Sequence, residues 1–175
     1  MLPEAVEGGL TPVMLKEMVY QAVDYLGFGR VYPFLNAVND YLKEQGVELP
    51  LEGQATTTME DRLEKGAQAQ VDIFGDVMKD SWKKGHINRW LSANCFGDYY
   101  TRTGLDNRQR EMITFCFLLA QGGCGAAAYQ AMRQGNMMVG NDKGFLIQII
   151  SQCLPYLGYP RSLNGLRCVN EAAKN

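Results

Sequence analysis

Apolar residues recur at helical spacing along most of this chain, and capping residues mark where the helical segments begin and end. In the first segment, Thr11 and Pro12 have the composition of a helix N-terminus, apolar positions follow every three to four residues, and Gly27 ends the pattern. The same signals predict a second helix over about 30–45 and another over about 58–74. No strand-like alternation of apolar and polar residues occurs, so the pattern predicts an all-α protein.

The second half of the chain carries the same signals. Asp106 and Gln109 have the spacing of a capping box, and an almost wholly apolar stretch follows Glu111 as far as Ala120, which is typical of a helix buried in a core. We expect Gly122 and its neighbouring glycine to break this helix. The helix predicted over 58–74 opens with a second capping-box spacing, at Thr58 to Asp61. The remaining predicted helices are 82–95, 124–134, one from Asn141 or Asp142 to Pro155, and one from Pro160 or Arg161 to about Ala173.

A stretch near the N-terminus recurs near the C-terminus with an offset of 131 residues. Residues 15–39 and 146–170 are identical at 9 of 25 positions without a gap, and both contain the motif Tyr-Leu-Gly-x-x-Arg. We interpret Tyr25 and Tyr156, which open the two motifs, as turn-packing residues, and the motif arginines as helix caps. The first copy lacks a counterpart of 106–131.

The repeat predicts a modular organisation. We expect 1–46 to be the C-terminal half of a first helical module and 93–175 to be a complete module of the same kind. Residues 47–92 then form a linker and connecting helices. The half-module contains two amphipathic helices without the apolar partner helix that its repeat has, so we expect a homo-oligomer, most simply a two-fold one, that covers them.

Composition and charge narrow the classes of function. The chain has 175 residues, 46% of them hydrophobic and 21% charged, which is typical of a globular protein. Its net charge is −2 and no basic stripe occurs, so we expect no binding to nucleic acid or to an anionic membrane surface. The apolar runs are too short to span a bilayer, and the N-terminus lacks the features of a secretory signal. We therefore expect a cytoplasmic protein with a small-molecule substrate.

The cysteines and the single histidine exclude several kinds of site. Five cysteines are widely spaced without a Cys-x-x-Cys pair, a pattern that does not favour a disulfide scaffold. His86 is the only histidine, so a zinc site is not expected and histidine-based catalytic triads would depend on this one residue. We interpret His86 as a solvated residue at a helix edge. No metal or cofactor is expected.

Several motifs together resemble the carboxymuconolactone decarboxylase and alkylhydroperoxidase-D-like family. The resemblance covers about 93–174 and, as the tail of a second module, about 8–46. It implies an all-helical fold and an oligomeric assembly. Redox members of that family use a glutamate, a Cys-x-x-Cys pair and a histidine, whereas decarboxylase members lack the cysteine pair and keep the histidine. The motifs are Arg110 to Cys124, Gly135-Asn136, Gly140 to Lys143, Pro155 to Arg161, and Asn164.

The resemblance transfers to this chain residue by residue. Glu111 matches the family glutamate. The cysteine-pair positions fall on Gly123 and Ala126, with Cys124 beside the first of them, and the histidine position falls on Gln130. The candidate catalytic residues are therefore Glu111, Cys124 and Gln130. The resemblance favours thiol-dependent peroxide reduction by Cys124 with Glu111 as the proton relay. The alternatives are a non-catalytic or ligand-binding relative, and lactone or β-keto acid chemistry with Glu111 alone.

The chemistry of the three side chains limits what each can do. Glu111 lies near the first turn of a predicted helix, where a carboxylate is stabilised by the helix dipole and by a pair with Arg108 or Arg110; a role as general acid instead requires burial. Cys124 follows two glycines at a predicted helix N-terminus, which would lower its thiol pKa. Gln130 can orient a substrate or a water molecule, but its amide cannot take up a proton at neutral pH.

Overall fold

The computed structural model describes residues 1–122 and 135–173, and helices form nearly all of the ordered structure in these two segments. No strand occurs in the described part of the chain, which confirms the predicted all-α class. Two short 3-10 helices, Asp76–Met78 and Ser81–Lys84, and a π-helix, Leu91–Tyr100, also occur. The α-helices are α1 (Leu2–Glu7), α2 (Pro12–Leu26), α3 (Phe28–Glu44), α4 (Arg62–Phe74), α5 (His86–Trp90), α6 (Asn107–Gln121), α7 (Lys143–Leu157) and α8 (Tyr159–Ala172).

Helix α6 is the central element of the described structure, and α2, α7 and α8 all pack against it. Its N-terminus has the predicted capping box: the Gln109 amide donates to Asp106 Oδ1 at 2.7 Å, and the Asp106 amide donates to Gln109 Oε1 at 3.0 Å. Gly122 ends the helix at a φ of 68°, a conformation that glycine adopts without strain. The main core cluster joins α6 to α7 and α8 through buried residues that include Phe115, Leu146 and Val169.

Two predictions about helix boundaries were wrong in the first half of the chain. Helix α4 begins at Arg62, because residues 59–61 form a turn. The Thr58 amide nevertheless donates to Asp61 Oδ1 at 2.7 Å, which is one of the two hydrogen bonds of the predicted capping box. The single helix expected over 82–95 is divided among a 3-10 helix, α5 and the π-helix, with Gly85 at a φ of 153° between the first two. The π-helix packs closely on α4, where a Cβ at Gly66 would collide with the backbone of Gly97.

The predicted stop at Pro155 was also wrong. Helix α7 contains Pro155 in its last turn and continues to Leu157, and it ends at Gly158 with a φ of 75°. A proline this close to a helix C-terminus removes one backbone hydrogen bond but leaves room for one more half-turn. The positive φ of the glycine therefore sets the end of the helix. The last helix begins at Tyr159, with Pro160 in its first turn.

The repeated stretches form two helical hairpins whose first helices have equivalent boundaries. Helices α2 and α7 run over Pro12–Leu26 and Lys143–Leu157, so their ends differ by the same 131 residues as the sequence repeat. However, α2 packs on α6 of its own chain, so the expectation that it lacks an apolar partner helix was wrong. Phe28 and Phe34 of α3 remain exposed. The division into modules and the homo-oligomer stay predictions.

Three further expectations concern membrane-spanning helices, the helix predicted over 124–134 and the position of His86. No helix within residues 1–122 and 135–173 combines the length and the apolar character needed to span a bilayer. The helix predicted over 124–134 lies outside the described residues, and with it lie Cys124, Ala126 and Gln130. His86 is exposed at the first position of α5, as expected.

Candidate functional site

Glu111 is a fully buried carboxyl group in the second turn of α6. Its Oε1 accepts a hydrogen bond from the hydroxyl of Tyr100 at 2.8 Å, and its Oε2 has no hydrogen-bond partner in the described part of the chain. The pair expected with Arg108 or Arg110 is not formed. Arg108 donates to the side chain of Asn141 at 2.8 Å, and Arg110 donates to Glu17 at 3.2 Å. Among the residues that the structure describes, Glu111 therefore has no cationic partner and is buried without forming an ion pair.

Burial changes the acidity of Glu111. Desolvation disfavours the ionised carboxylate and raises the pKa of Glu111 from 4.5 to about 7, while the hydrogen bond from Tyr100 acts in the opposite direction. At neutral pH both protonation states are therefore populated. A general acid or base works best when its pKa is near the operating pH, so this carboxyl group has the acidity that proton transfer requires.

Space for the second oxygen of Glu111 comes from Gly135. A Cβ atom at this position would collide with Oε2 of Glu111, so only glycine leaves the oxygen room. The next residue, Asn136, is buried and donates from Nδ2 to the backbone carbonyl of Glu111 at 3.0 Å. Asn141 in turn donates to Asn136 Oδ1 at 2.8 Å. The Gly135-Asn136 motif thus fixes the chain against α6 beside the free carboxyl oxygen.

The hydroxyl group of Tyr100 is the centre of a buried hydrogen-bond network. It lies 2.7 Å from Thr114 Oγ1 and 2.9 Å from the hydroxyl of Tyr25. Gln21 donates to Thr114 Oγ1 at 2.9 Å, which leaves the Thr114 proton free to be donated to Tyr100. The single proton of Tyr100 then points at Glu111. Gln21, Thr114 and Tyr100 therefore form a chain of hydrogen bonds that ends at the carboxyl group of Glu111.

Helix α2 supplies the residues that orient this network. Glu17, Gln21 and Tyr25 are spaced by four residues and so lie on one face of α2. Gln21 Oε1 accepts from Arg110 at 3.1 Å, which leaves the amide nitrogen to donate to Thr114. Glu17 holds Arg110 at 3.2 Å and also accepts hydrogen bonds of 2.9 to 3.0 Å from Arg102. An ion-paired cluster beneath the site thus fixes the direction of the hydrogen bonds.

A second acidic group lies at the far side of Tyr25. The Tyr25 hydroxyl is 3.9 Å from Cys95 Sγ, and the Cys95 thiol interacts with the Asp24 carboxyl. Burial raises the pKa of Asp24 to about 7 and raises the pKa of Cys95 well above its usual value. Cys95 is therefore a protonated, buried thiol at neutral pH and has little nucleophilic character.

The sequence identified Glu111 but missed its surroundings. Tyr100 lies in no motif, and Thr114 lies inside the Arg110 to Cys124 motif but was given no role. Tyr25 packs against the cluster of Ile73, Cys95, Phe96 and Tyr100, in keeping with its interpretation as a packing residue, but its hydroxyl group also belongs to the network, which the sequence did not predict. The polar residues spaced by four along α2 were the available signal. In the second copy of the repeat, Tyr156 is exposed and Arg161 donates to the carbonyl of Ala120 at 2.5 Å, as a helix cap does.

A comparison with protein families identifies the segment that carries Glu111. The model of the carboxymuconolactone decarboxylase family matches residues 86–171. Because it contains this matching domain, the chain belongs to the carboxymuconolactone decarboxylase family. The matched segment contains Glu111, Tyr100 and Thr114, whereas α2 lies before it. In this member of the family, a helix outside the matched segment therefore contributes to the hydrogen-bond network that reaches the glutamate. No curated protein sequence matches the chain.

The hydrogen bond from Tyr100 should have a measurable effect on Glu111. Replacing Tyr100 with Phe removes a donor that stabilises the carboxylate, so we expect the pKa of Glu111 to rise by about 1 to 2 units above its wild-type value. Carbon-13 NMR titration of the carboxyl resonance measures the shift. Tyr25→Phe is the matched control, because Tyr25 is one hydrogen bond further away and its loss should move the pKa less. Equal shifts in the two variants would contradict the assignment of Tyr100 as the direct donor.

Proposed function

We propose that the protein reduces hydroperoxides with an external thiol, using Cys124 as the attacking thiol and Glu111 as the general acid. The observation that carries this proposal is the buried Glu111 carboxyl, with a pKa of about 7, one oxygen held by Tyr100 and the other free of protein partners among the described residues. Membership of the family and the position of Cys124 beside the family's first cysteine position support the choice of reaction. The approach of Cys124 and Gln130 to Glu111 is part of the proposal.

The proposed reaction is a two-electron reduction of the peroxide bond. The Cys124 thiolate attacks one oxygen, the O–O bond breaks, and protonated Glu111 gives its proton to the departing alkoxide, so that an alcohol and a sulfenic acid form. Because Gly123 and Ala126 occupy the cysteine-pair positions, that pair cannot form an internal disulfide here. One external thiol condenses with the sulfenic acid and releases water. A second external thiol then attacks this mixed disulfide. Cys124 is released as a thiol, and the two external thiols leave joined to each other as a disulfide.

Gln130 limits the proton transfer to one acid. Its amide can orient the peroxide or a water molecule, but it cannot exchange a proton as an imidazole would. Glu111 must therefore both release the proton to the alkoxide and recover one from solvent in each turnover. We expect slow turnover for this reason.

The proposal is tested by hydroperoxide consumption in the presence of dithiothreitol. Wild-type protein should consume the peroxide faster than dithiothreitol alone, and Cys124→Ser should reduce the rate to the background. Cys168→Ala is the control, because Cys168 is buried in the core cluster of α6, α7 and α8 and should not take part. A Cys124→Ser variant as active as wild type would overturn the assignment of the thiol.

Acid–base chemistry on a lactone or a β-keto acid is the second candidate function. It is favoured by the acidity of Glu111, since a carboxyl with a pKa of about 7 can transfer protons without any thiol. The two candidates differ in their dependence on Cys124. Turnover of a β-keto acid or lactone that survives Cys124→Ser but not Glu111→Gln would favour this second function.

A further inference from the structure

Two cysteines outside the Glu111 network lie against each other between neighbouring helices. Cys116 belongs to α6 and Cys153 to α7, and their Sγ atoms are 4.0 Å apart. Both side chains are partly buried, and no disulfide joins them. A disulfide requires a sulfur–sulfur distance of about 2.05 Å, so the two atoms would need to approach by about 2 Å. Rotation of the two side chains, with the helices remaining packed, would bring the sulfur atoms together.

The two sulfur atoms differ in acidity because of their mutual contact. The hydrogen-bonding contact between the two sulfur atoms lowers the pKa of Cys153 to about 7, while the same contact together with burial raises the pKa of Cys116. A thiol with a pKa near ambient pH is the most effective attacking group in thiol–disulfide exchange. Cys153 also has exposed neighbours in the last turns of α7, Gln152 and Tyr156, so a small molecule can reach this side of the pair.

We propose that Cys153 and Cys116 form a redox-active dithiol that exchanges with a small-molecule disulfide. The Cys153 thiolate attacks one sulfur of the disulfide, forms a mixed disulfide and releases one small thiolate. Cys116 then attacks Cys153 Sγ, the protein disulfide forms, and the second small thiolate leaves. The released thiolates take up the proton of Cys116 and one from solvent. The protein loses two electrons, which reduce the small disulfide to two thiols.

This dithiol does not include Cys124, the thiol proposed for peroxide reduction. Cys116 and Cys153 are 37 residues apart and come from two helices that both lie in the described structure. Cys95, by contrast, is buried with a raised pKa and should stay reduced under the same conditions. The pair therefore predicts a disulfide of defined connectivity that does not depend on Cys124.

The experiment uses the full chain carrying Cys124→Ser, so that failure of the dithiol and failure of the peroxide proposal give different results. The reduced protein is equilibrated with oxidised glutathione at pH 7.5, quenched with acid, alkylated and mapped by mass spectrometry. We expect loss of two free thiols per chain and a peptide pair linked through Cys116 and Cys153. An excess of reduced glutathione should reverse the change.

Two single variants test the order of attack. In Cys116→Ser the exchange should stop at one glutathione on the Cys153 peptide, and in Cys153→Ser the rate of thiol loss should fall at least tenfold. The variants are matched, because each replaces one sulfur of the pair with oxygen, and circular dichroism checks that the helices remain. The proposal is overturned if Cys116 and Cys153 stay free in the folded protein, or if glutathione labels Cys95 or Cys168 first.

Discussion

Replacing Glu111 with Gln should lower the rate of hydroperoxide reduction by about 10²- to 10⁴-fold, the usual contribution of a positioned general acid. The glutamine side chain has nearly the same shape and can still accept the hydrogen bond from Tyr100. It cannot release a proton. The expected loss therefore reports proton transfer rather than a change of packing, and steady-state hydroperoxide consumption with excess dithiothreitol measures it.

The pH dependence of the rate separates this role from others. A general acid acts in its protonated form, and burial places the pKa of Glu111 at about 7. The wild-type rate per Cys124 thiolate should therefore fall as the pH rises through 7. The falling limb should be absent in Glu111→Gln, whose rate should follow thiol ionisation alone. A falling limb that persists unchanged in the variant would show that another group supplies the proton.

Stability measurements provide the control for the same variant. The folded pKa of Glu111 lies above its ordinary value of 4.5, so the folded protein holds the proton more tightly than the unfolded chain does. Stability is then lost as the pH rises from about 4.5 to about 7, by about 3 kcal/mol in total. Glu111→Gln has no carboxyl to ionise and should escape this loss. In urea unfolding at pH 8 the variant should be at least as stable as wild type.

Local signals predicted the helices well where a boundary depends on a cap. The Asp106 capping box and the glycine stops at Gly27 and Gly122 are formed by residues within one turn of the boundary, so the sequence contains all of the information. The predictions failed where packing decides. The expected helix over 82–95 becomes a π-helix from Leu91 where the chain packs closely on α4, a contact that no local signal reports.

The candidate site was predictable only in part for the same reason. The motif around Glu111 identified the carboxyl, but its acidity depends on burial, and its burial depends on helices from other parts of the chain. Tyr100 reaches Glu111 from the π-helix, and Gln21 reaches Thr114 from α2, 93 residues away in sequence. Helical periodicity places residues on a face of a helix but does not say which helix covers that face. Physical coupling between α2 and the family domain therefore has to be tested directly.

In the ion-paired cluster that joins α2 to α6, the two arginines that pair with Glu17 differ in burial. This difference allows the contribution of the buried charge to stability to be tested. Arg110 is fully buried, and Glu17 is its only carboxylate partner in the described structure. Arg102 also pairs with Glu17, at 2.9 Å, but its side chain is 18% exposed and can turn toward water. Removal of Glu17 therefore leaves a buried guanidinium without a countercharge, whereas removal of Arg102 leaves Glu17 paired with Arg110.

Replacing Glu17 with Gln should lower the free energy of unfolding by about 3–5 kcal/mol, the usual cost of leaving one member of a buried ion pair alone. Arg102→Met is the matched control and should cost less than half as much, because the buried charge of Arg110 remains compensated. The double variant Glu17→Met, Arg110→Met should recover most of the loss, since apolar residues can replace a buried pair at little cost. Urea unfolding at pH 7 measures all three. Equal losses for Glu17→Gln and Arg102→Met would show that the charge of Arg110 does not set the stability of this contact. The hydrogen bonds of Gln21 and Tyr25 together with apolar packing would then hold α2 on the family domain.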